Sequence, residues 1–171
     1  MDPIYVLDSS ALQTLNELAT SDPSLTEQLT ELRDNSRIIY CEAAKNERQH
    51  FAKGEPVTIW AGSGWKGLKD AAEVRFAQVM TVCGEFGTPK PPDLHILDVD
   101  NEATDQQQAI VTIALALKLA AHFDVVVVSD EEFTLENRCT VTEACKVLQI
   151  EHCVVKDFLE AVDVTVATSA P

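Results

Sequence analysis

Residues 4–19 read IYVLDSSALQTLNELA, a run in which four apolar residues lead directly into an acidic residue and then into spaced leucines. The apolar residues predict a buried strand, and the leucines predict the inner face of a helix. Asp8 stands at the junction, where a carboxylate can accept the free amide hydrogens of the first helical turn. The ends of strands in α/β sheets are also where ligands and metals are held. Asp8 is therefore predicted as a helix cap, as a ligand-binding residue, or as both.

The same order of strand followed by helix recurs along the chain. Strands alternating with helices predict an α/β protein, a three-layer α/β/α fold with a mostly parallel central sheet. The length of 171 residues fits one domain over 1–171. The further predicted elements are strands at RIIY (37–40), VVVV (125–128) and CVV (153–155), and helices over 41–52, 102–122 and 156–162.

The charge of the chain is strongly acidic, with a formal net charge of −15 and a pI near 4.5. This balance argues against a general nucleic-acid binder, because phosphate contacts need Lys and Arg. The charge is unevenly distributed, however. Residues 45–90 contain seven Lys and Arg residues against five Asp and Glu residues, which makes this segment net +2. We therefore expect any surface that faces phosphate to lie in this segment.

The five cysteines and four histidines show none of the spacings that are typical of a zinc site. An odd number of cysteines without a C-x-x-C pair favours thiols packed in a protein of the reducing cytoplasm. No apolar run approaches the length of a membrane span, so we expect no association with a membrane.

Residues 54–67, GEPVTIWAGSGWKG, are predicted as a loop that precedes a helix over 68–83. The loop contains a G-x-G-x-x-G pattern at Gly62, Gly64 and Gly67. A dinucleotide site would need a buried strand before these glycines and another strand after the helix, and the turn-rich GEFGTPKPPD follows instead. The favoured interpretation is a flexible glycine turn, and a nucleotide-binding enzyme is the less favoured alternative.

Acidic residues stand at corresponding points of the predicted fold. Asp8 and Asp130 each directly follow an apolar strand, so both are expected at the carboxyl edge of the sheet. Glu47 lies on the helix after the second strand, and Asp105 lies in the first turn of the long helix before VVVV. Clustered carboxylates repel one another unless a cation neutralises them, and Mg²⁺ or Mn²⁺ prefers such hard oxygen ligands. A site of this kind activates water for attack on a phosphodiester.

These segments together resemble a PIN domain. The resemblance rests on YVLDSSAL, on an acid in the helix after the second strand, on an acid that opens the alanine-rich helix, and on VVVVSDEEF and CVVKDFLEAV. It covers the chain except for about 53–93, which is predicted as an insertion. The resemblance implies a Mg²⁺- or Mn²⁺-dependent endoribonuclease with an RNA substrate. It also implies the toxin of a VapC-type toxin–antitoxin pair, with an antitoxin protein as partner.

The resemblance also implies the residues that hold the metal. They are Asp8, Glu47, Asp105 and Asp130, with Ser129 in place of a threonine that orients the site. The register of the second and third acids is open, and further carboxylates follow Asp130. The alternates are Glu42 for the second position, Glu102 for the third, and Glu131 or Glu132 as a fifth carboxylate.

Two further questions are left open by the sequence. One alternative function is a catalytically inactive PIN-like interaction module that binds a basic partner through its acidic surface. The oligomeric state is also open, with a homodimer as one alternative. Within the net-positive segment, Lys66, Lys69 and Trp65 are the candidates for RNA binding, because bases stack on aromatic rings while cations hold the backbone.

Overall fold

The structure is a computed structural model that describes residues 2–86, 107–131 and 140–167. Within these ranges the chain forms four strands and eight helices. The strands are β1 (Ile4–Leu7), β2 (Ile38–Tyr40), β3 (Val125–Val128) and β4 (Glu151–Cys153). The helices are α1 (Ser9–Ser21), α2 (Leu25–Asp34), α3 (Glu42–Phe51), α4 (Pro56–Ala72), α5 (Phe76–Phe86), α6 (Gln108–Ala120), α7 (Val141–Leu148) and α8 (Val155–Ala161).

The four strands form one parallel sheet in the order β2-β1-β3-β4. In the register of the central pair, Leu7 lies opposite Val128, and both side chains are fully buried. Parallel strands are apolar throughout because helices cover both of their faces. Here α6 packs on β1 and β3 and contacts α7, while α1 contacts α2 and α8. The prediction of a three-layer α/β/α fold with a parallel sheet is confirmed.

The order of the strands creates a topological switch point between β1 and β3. In the sheet, β2 lies on the outer side of β1 and β4 lies on the outer side of β3. The connections from β1 to β2 and from β3 to β4 therefore run in opposite directions away from the central pair. Because such crossovers are right-handed, the two connections lie on opposite faces and a crevice opens between them. Open α/β sheets bind ligands at this crevice, outside the carboxyl ends of the strands. Asp8 and Ser129 are the first residues after β1 and β3 at this point.

The prediction of a loop over 54–67 is wrong, because α4 begins at Pro56 and includes all three glycines of the pattern. Proline suits the first turn of a helix. The helix then buries residues that recur at helical spacing, Val57, Trp60, Ala61, Leu68 and Ala72. Burial of this face outweighs the low helix propensity of glycine. Among the described glycines, Gly54 is the residue with a positive φ.

Two glycines of the pattern, Gly62 and Gly64, permit close packing around α4. A Cβ atom at Gly64 would collide with the guanidinium group of Arg33, and one at Gly62 would lie 2.8 Å from Nε2 of Gln49. The pattern therefore has a role in the packing of helices, and it does not form a phosphate-binding loop.

The predicted helix over 68–83 is also divided in two. The α4 helix ends at Ala72, and α5 begins at Phe76. The Lys118 ammonium of α6 donates hydrogen bonds to the carbonyl oxygens of Ala71 (2.9 Å) and Glu73 (2.6 Å). It thus supplies partners for carbonyl groups that lack them at the end of a helix. The two helices contact α1, α3 and α6, so the described part of the predicted insertion packs against the rest of the domain.

The last strand lies two residues earlier than CVV, because the pairing with β3 runs from Glu151 to Cys153. Gln149 adopts the left-handed conformation that ends α7, with φ 57°. The strand β4 then begins at Glu151, and α8 begins at Val155. No helix in the described ranges is long and apolar enough to cross a membrane.

Candidate acidic site at the carboxyl edge of the sheet

Asp8 is the fully buried N-cap of α1. Its Oδ1 atom accepts hydrogen bonds from the Ala11 amide (2.8 Å) and the Ser10 hydroxyl (2.7 Å). Its Oδ2 atom accepts a hydrogen bond from the Ser129 hydroxyl at 2.6 Å. The prediction of a cap is confirmed, and both oxygens have protein donors.

Burial raises the pKa of Asp8 to about 6. The hydrogen bonds from Ser129, Ala11 and Ser10 oppose this rise, and the nearby charge of Glu131 adds to it. In the part of the chain that the structure describes, no Lys, Arg or His side chain forms an ion pair with Asp8. Among the described residues, hydrogen-bond dipoles therefore stabilise the carboxylate form, and no ion pair does.

Ser10 connects the start of α1 to the turn after β3. Its hydroxyl donates to Asp8 and accepts a hydrogen bond from the Asp130 amide at 2.9 Å. The Ser129 hydroxyl lies 3.3 Å from it and accepts from the Glu131 amide at 3.4 Å. Ser10 is not among the site residues predicted from the sequence. A hydroxyl two residues after an acid at a strand end is a signal for such a local contact.

A cleft of about 390 Å³ opens beside Asp8 at the switch point. It brings three carboxylate residues together, one after β1, one on α3 and one after β3. Amide and hydroxyl groups and one aromatic ring complete its wall. The lining residues are Asp8, Ser9, Ser10, Gln13, Glu47, Phe51, Gln107, Gln108, Ala109 and Glu131.

Gln108 is the first residue of α6 and reaches this cleft. Its Oε1 atom accepts hydrogen bonds from the Ser9 amide (3.1 Å) and the Thr112 hydroxyl (3.5 Å). Because the oxygen is engaged, the Nε2 amide is the group that Gln108 can present to a ligand. An acid at the start of this helix, Asp105 or Glu102, is predicted from the sequence. Both residues lie outside the described ranges.

The other predicted acids have different surroundings. Oδ1 of Asp130 accepts a hydrogen bond from the Val155 amide at 2.8 Å, in the first turn of α8, and Asp130 does not line the cleft. Oε2 of Glu131 accepts from the Val141 amide at 2.8 Å in the first turn of α7. Glu42 is exposed, 4.0 Å from the Lys45 ammonium, and also lies outside the cleft lining. Glu132 is not among the described residues.

The donor set of the cleft can be compared with the needs of a divalent cation. Carboxylate, amide and hydroxyl oxygens are the ligands that Mg²⁺ and Mn²⁺ prefer, so the chemistry of the lining fits. Within residues 2–86, 107–131 and 140–167, however, no three His, Cys, Asp or Glu side chains are grouped so that they could hold a metal ion. Asp8, Glu47 and Glu131 line one cleft but do not form a closed coordination sphere.

The two tryptophans of the net-positive segment, Trp60 and Trp65, pack against Tyr40 of β2. Trp60 is buried, its Nε1 donates to the Thr30 hydroxyl at 3.0 Å, and its ring contacts Tyr40 at 5.5 Å. Trp65 packs against Tyr40, with ring centroids 6.1 Å apart, and the Lys45 ammonium lies 5.0 Å from the Trp65 ring centroid. These rings therefore stabilise the packing of α4 on the sheet.

Lys66 and Lys69 are exposed on α4 and do not line the acidic cleft. Their predicted contact with RNA stays a prediction.

No protein-family model, no curated protein and no solved structure matches this chain. The interpretation of the cleft therefore rests on its own geometry and chemistry.

Proposed function

We propose that the protein is a cytoplasmic, PIN-type endoribonuclease that depends on Mg²⁺ or Mn²⁺ and acts as the toxin of a toxin–antitoxin pair. The observation that carries the proposal is the shared cleft of Asp8, Glu47 and Glu131 at the switch point between β1 and β3. These carboxylates come from three distant parts of the chain and converge where α/β sheets bind ligands. Burial of one acid beside others, without a cation, is typical of a functional site.

The residues that would hold the metal are those with carboxylates in the cleft. We propose Asp8, Glu47 and Glu131, joined by Asp105 from outside the described ranges. Glu131 is favoured over Asp130, because Glu131 lines the cleft and Asp130 does not. A bound Mg²⁺ or Mn²⁺ would supply an activated water and neutralise charge on the scissile phosphate. The Ser10 and Ser129 hydroxyls would hold the Asp8 carboxylate in a fixed orientation.

The proposal is tested by RNA cleavage with either metal. Wild type should cleave a single-stranded RNA, and Asp8→Asn and Glu47→Gln should reduce kcat by about 100-fold or more, because the loss of a ligand should cost at least as much as the roughly 10–100-fold loss that follows when a residue supporting a ligand is changed. Glu42→Gln is the matched control, because Glu42 lies on the same helix as Glu47 but outside the cleft. Absence of cleavage by wild type with every divalent metal, or equal activity in all variants, would refute the nuclease function.

Metal binding is measured independently through thermal stability. A ligand that binds the native state alone raises the Tm in a saturable way. We expect Mn²⁺ to raise the Tm of wild type and of Glu42→Gln, and to leave that of Asp8→Asn unchanged. The same saturating rise in Asp8→Asn would place the metal elsewhere.

The second candidate function is a non-catalytic module that binds a basic partner. It is favoured by the hydrogen bonds that engage both Asp8 oxygens, and by the lack of a three-acid metal group in the described residues. In this case Mn²⁺ leaves the Tm unchanged, while a basic protein partner binds with strong salt dependence.

A further inference from the structure

Phe51 is the last residue of α3, and its side chain is exposed although it is large and apolar. The residue is 75% exposed and lines the acidic cleft together with Asp8 and Glu47. A singly exposed apolar residue is ordinary on a protein surface, so the feature that distinguishes Phe51 is its position in the lining of the acidic cleft.

The position of Phe51 relative to Glu47 follows from helical geometry. The two residues are four positions apart on α3, so their side chains are neighbours on one helix face. The His50 ring contacts the Phe51 ring edge-on, with centroids 4.7 Å apart and an interplanar angle of 84°. Most of the Phe51 ring surface remains open to solvent. A flat apolar surface therefore lies beside the carboxylates of the cleft.

Other aromatic residues of this region are less suited to contact a ligand of the cleft. Trp60 is buried, and Trp65 is partly buried against Tyr40. Phe76 is 66% exposed at the start of α5 but does not line the cleft. Phe51 is the aromatic residue in the cleft lining.

The combination of polar cleft and open ring suits a nucleotide with an unstacked base. The cleft would take the phosphate of the backbone, with the Gln108 amide as a donor, and the ring would take the flat face of a base. Aromatic side chains bind single-stranded nucleic acids in this way and tolerate any sequence, because every base has a π-face. A paired base is stacked within its duplex and cannot reach the ring.

We propose that Phe51 is a substrate-binding residue that stacks on an unpaired base next to the scissile phosphate and so restricts the enzyme to single-stranded RNA. This role rests on the proposed function, since it names the substrate class of the same cleft. Phe51 contacts the base and takes no part in metal binding.

The test compares Phe51→Ala, Phe51→Trp and the matched control Phe76→Ala. Binding of a short fluorescein-labelled single-stranded RNA is measured by anisotropy in the Asp8→Asn background, where the RNA is not cleaved. Loss of one stacking ring should weaken binding about ten-fold in Phe51→Ala, while Phe51→Trp and Phe76→Ala bind normally. The same backbone with abasic units should bind equally to all three. In the cleaving enzyme, Phe51→Ala should raise KM with kcat nearly unchanged.

Unchanged RNA affinity in Phe51→Ala would overturn the proposal, as would equal losses in Phe51→Ala and Phe51→Trp or an equal loss for abasic RNA. These outcomes are distinct from a failure of the nuclease function. A wild-type protein that binds RNA through Phe51 but cleaves nothing contradicts the proposed chemistry alone, because the anisotropy measurement does not depend on cleavage. An unchanged Mn²⁺-induced rise of the Tm in Phe51→Ala verifies that the acidic site is intact.

Discussion

The Ser129 hydroxyl donates a hydrogen bond of 2.6 Å to the Asp8 carboxylate, although the two residues are 121 positions apart in the sequence. The parallel register of β1 and β3 places Leu7 opposite Val128, so the residues that follow them meet at the edge of the sheet. This contact makes the buried acid part of the fold as well as part of the candidate site.

The buried carboxylate of Asp8 should make the stability of the metal-free protein depend on pH. Its pKa is about 6 in the folded protein against 3.8 for the ordinary carboxyl. Between these values the folded protein holds a proton that the unfolded chain has released, so the free energy of unfolding falls as pH rises from about 4 to about 6. Above pH 6 the buried charge of Asp8 lowers the free energy of unfolding by about 3 kcal/mol. Asp8→Asn escapes this penalty because its side chain does not titrate.

We therefore expect Asp8→Asn to be more stable than wild type at pH 8 in EDTA, by up to about 3 kcal/mol. The advantage should shrink by roughly half at pH 5, where wild-type Asp8 is mostly protonated in the folded state. Urea unfolding of both proteins at the two pH values measures the difference, in which other titrating groups cancel. A difference that does not change with pH would show that Asp8 has an ordinary pKa.

The hydroxyl of Ser129 should contribute measurably to stability. Ser129→Ala removes the donor to Oδ2 of Asp8 and leaves a buried carboxylate oxygen with one partner fewer, which costs about 1–3 kcal/mol. Ser63→Ala is the matched control, because Ser63 is an exposed residue whose hydroxyl donates to the Trp60 carbonyl of its own helix. Urea unfolding at pH 8 should show a loss for Ser129→Ala and almost none for Ser63→Ala. Equal effects would contradict the structural role of the contact with Asp8.

The strands of this fold could be predicted from local sequence, whereas α4 could not. Four apolar residues at IYVL and at VVVV are typical of parallel strands buried on both faces. The segment of α4 contains three glycines in close succession, and local propensity therefore favours a loop. Its helix is stabilised by the burial of Trp60 and Leu68 against elements that the sequence does not place beside it.

The residues of the candidate site also differ in whether local sequence predicts them. Asp8 could be identified because its position at a strand end is a local feature of the sequence. The contact of Gln108 with the Ser9 amide spans 99 positions, so no local pattern indicates it. Ser10 has a local contact with Asp8, which its position two residues after that acid indicates, and a contact with the Asp130 amide 120 positions away, which no local pattern indicates. Glu131 was predicted only as an alternate, because strand ends do not specify which residue of an acidic run turns into the cleft.

The helical conformation of α4 can be tested at its glycines. Gly67→Ala should stabilise the protein by about 0.5–1 kcal/mol, because alanine favours the helix and nothing lies within 4 Å of the added Cβ. Gly64→Ala should gain less or lose stability, because the new Cβ displaces the Arg33 guanidinium from its position 5.4 Å from the Trp60 ring centroid. Thermal unfolding of the two variants measures the contrast. Loss of stability in Gly67→Ala would indicate a loop.

Two roles of Asp130, as the partner of the Val155 amide and as a metal ligand, can be tested separately. Its Oδ1 accepts the Val155 amide in the first turn of α8, so Asp130→Ala should lose about 1 kcal/mol, as for other lost helix caps. Asp130→Asn keeps an oxygen at this position and should be nearly as stable as wild type in EDTA. Because the Asp130 carboxylate does not line the cleft, Asp130→Asn should also keep the Mn²⁺-induced rise of the Tm, whereas Glu131→Gln should reduce it. If Asp130→Asn abolishes the rise while Glu131→Gln retains it, the metal ligand is Asp130, and the turn after β3 must reorient when the metal binds.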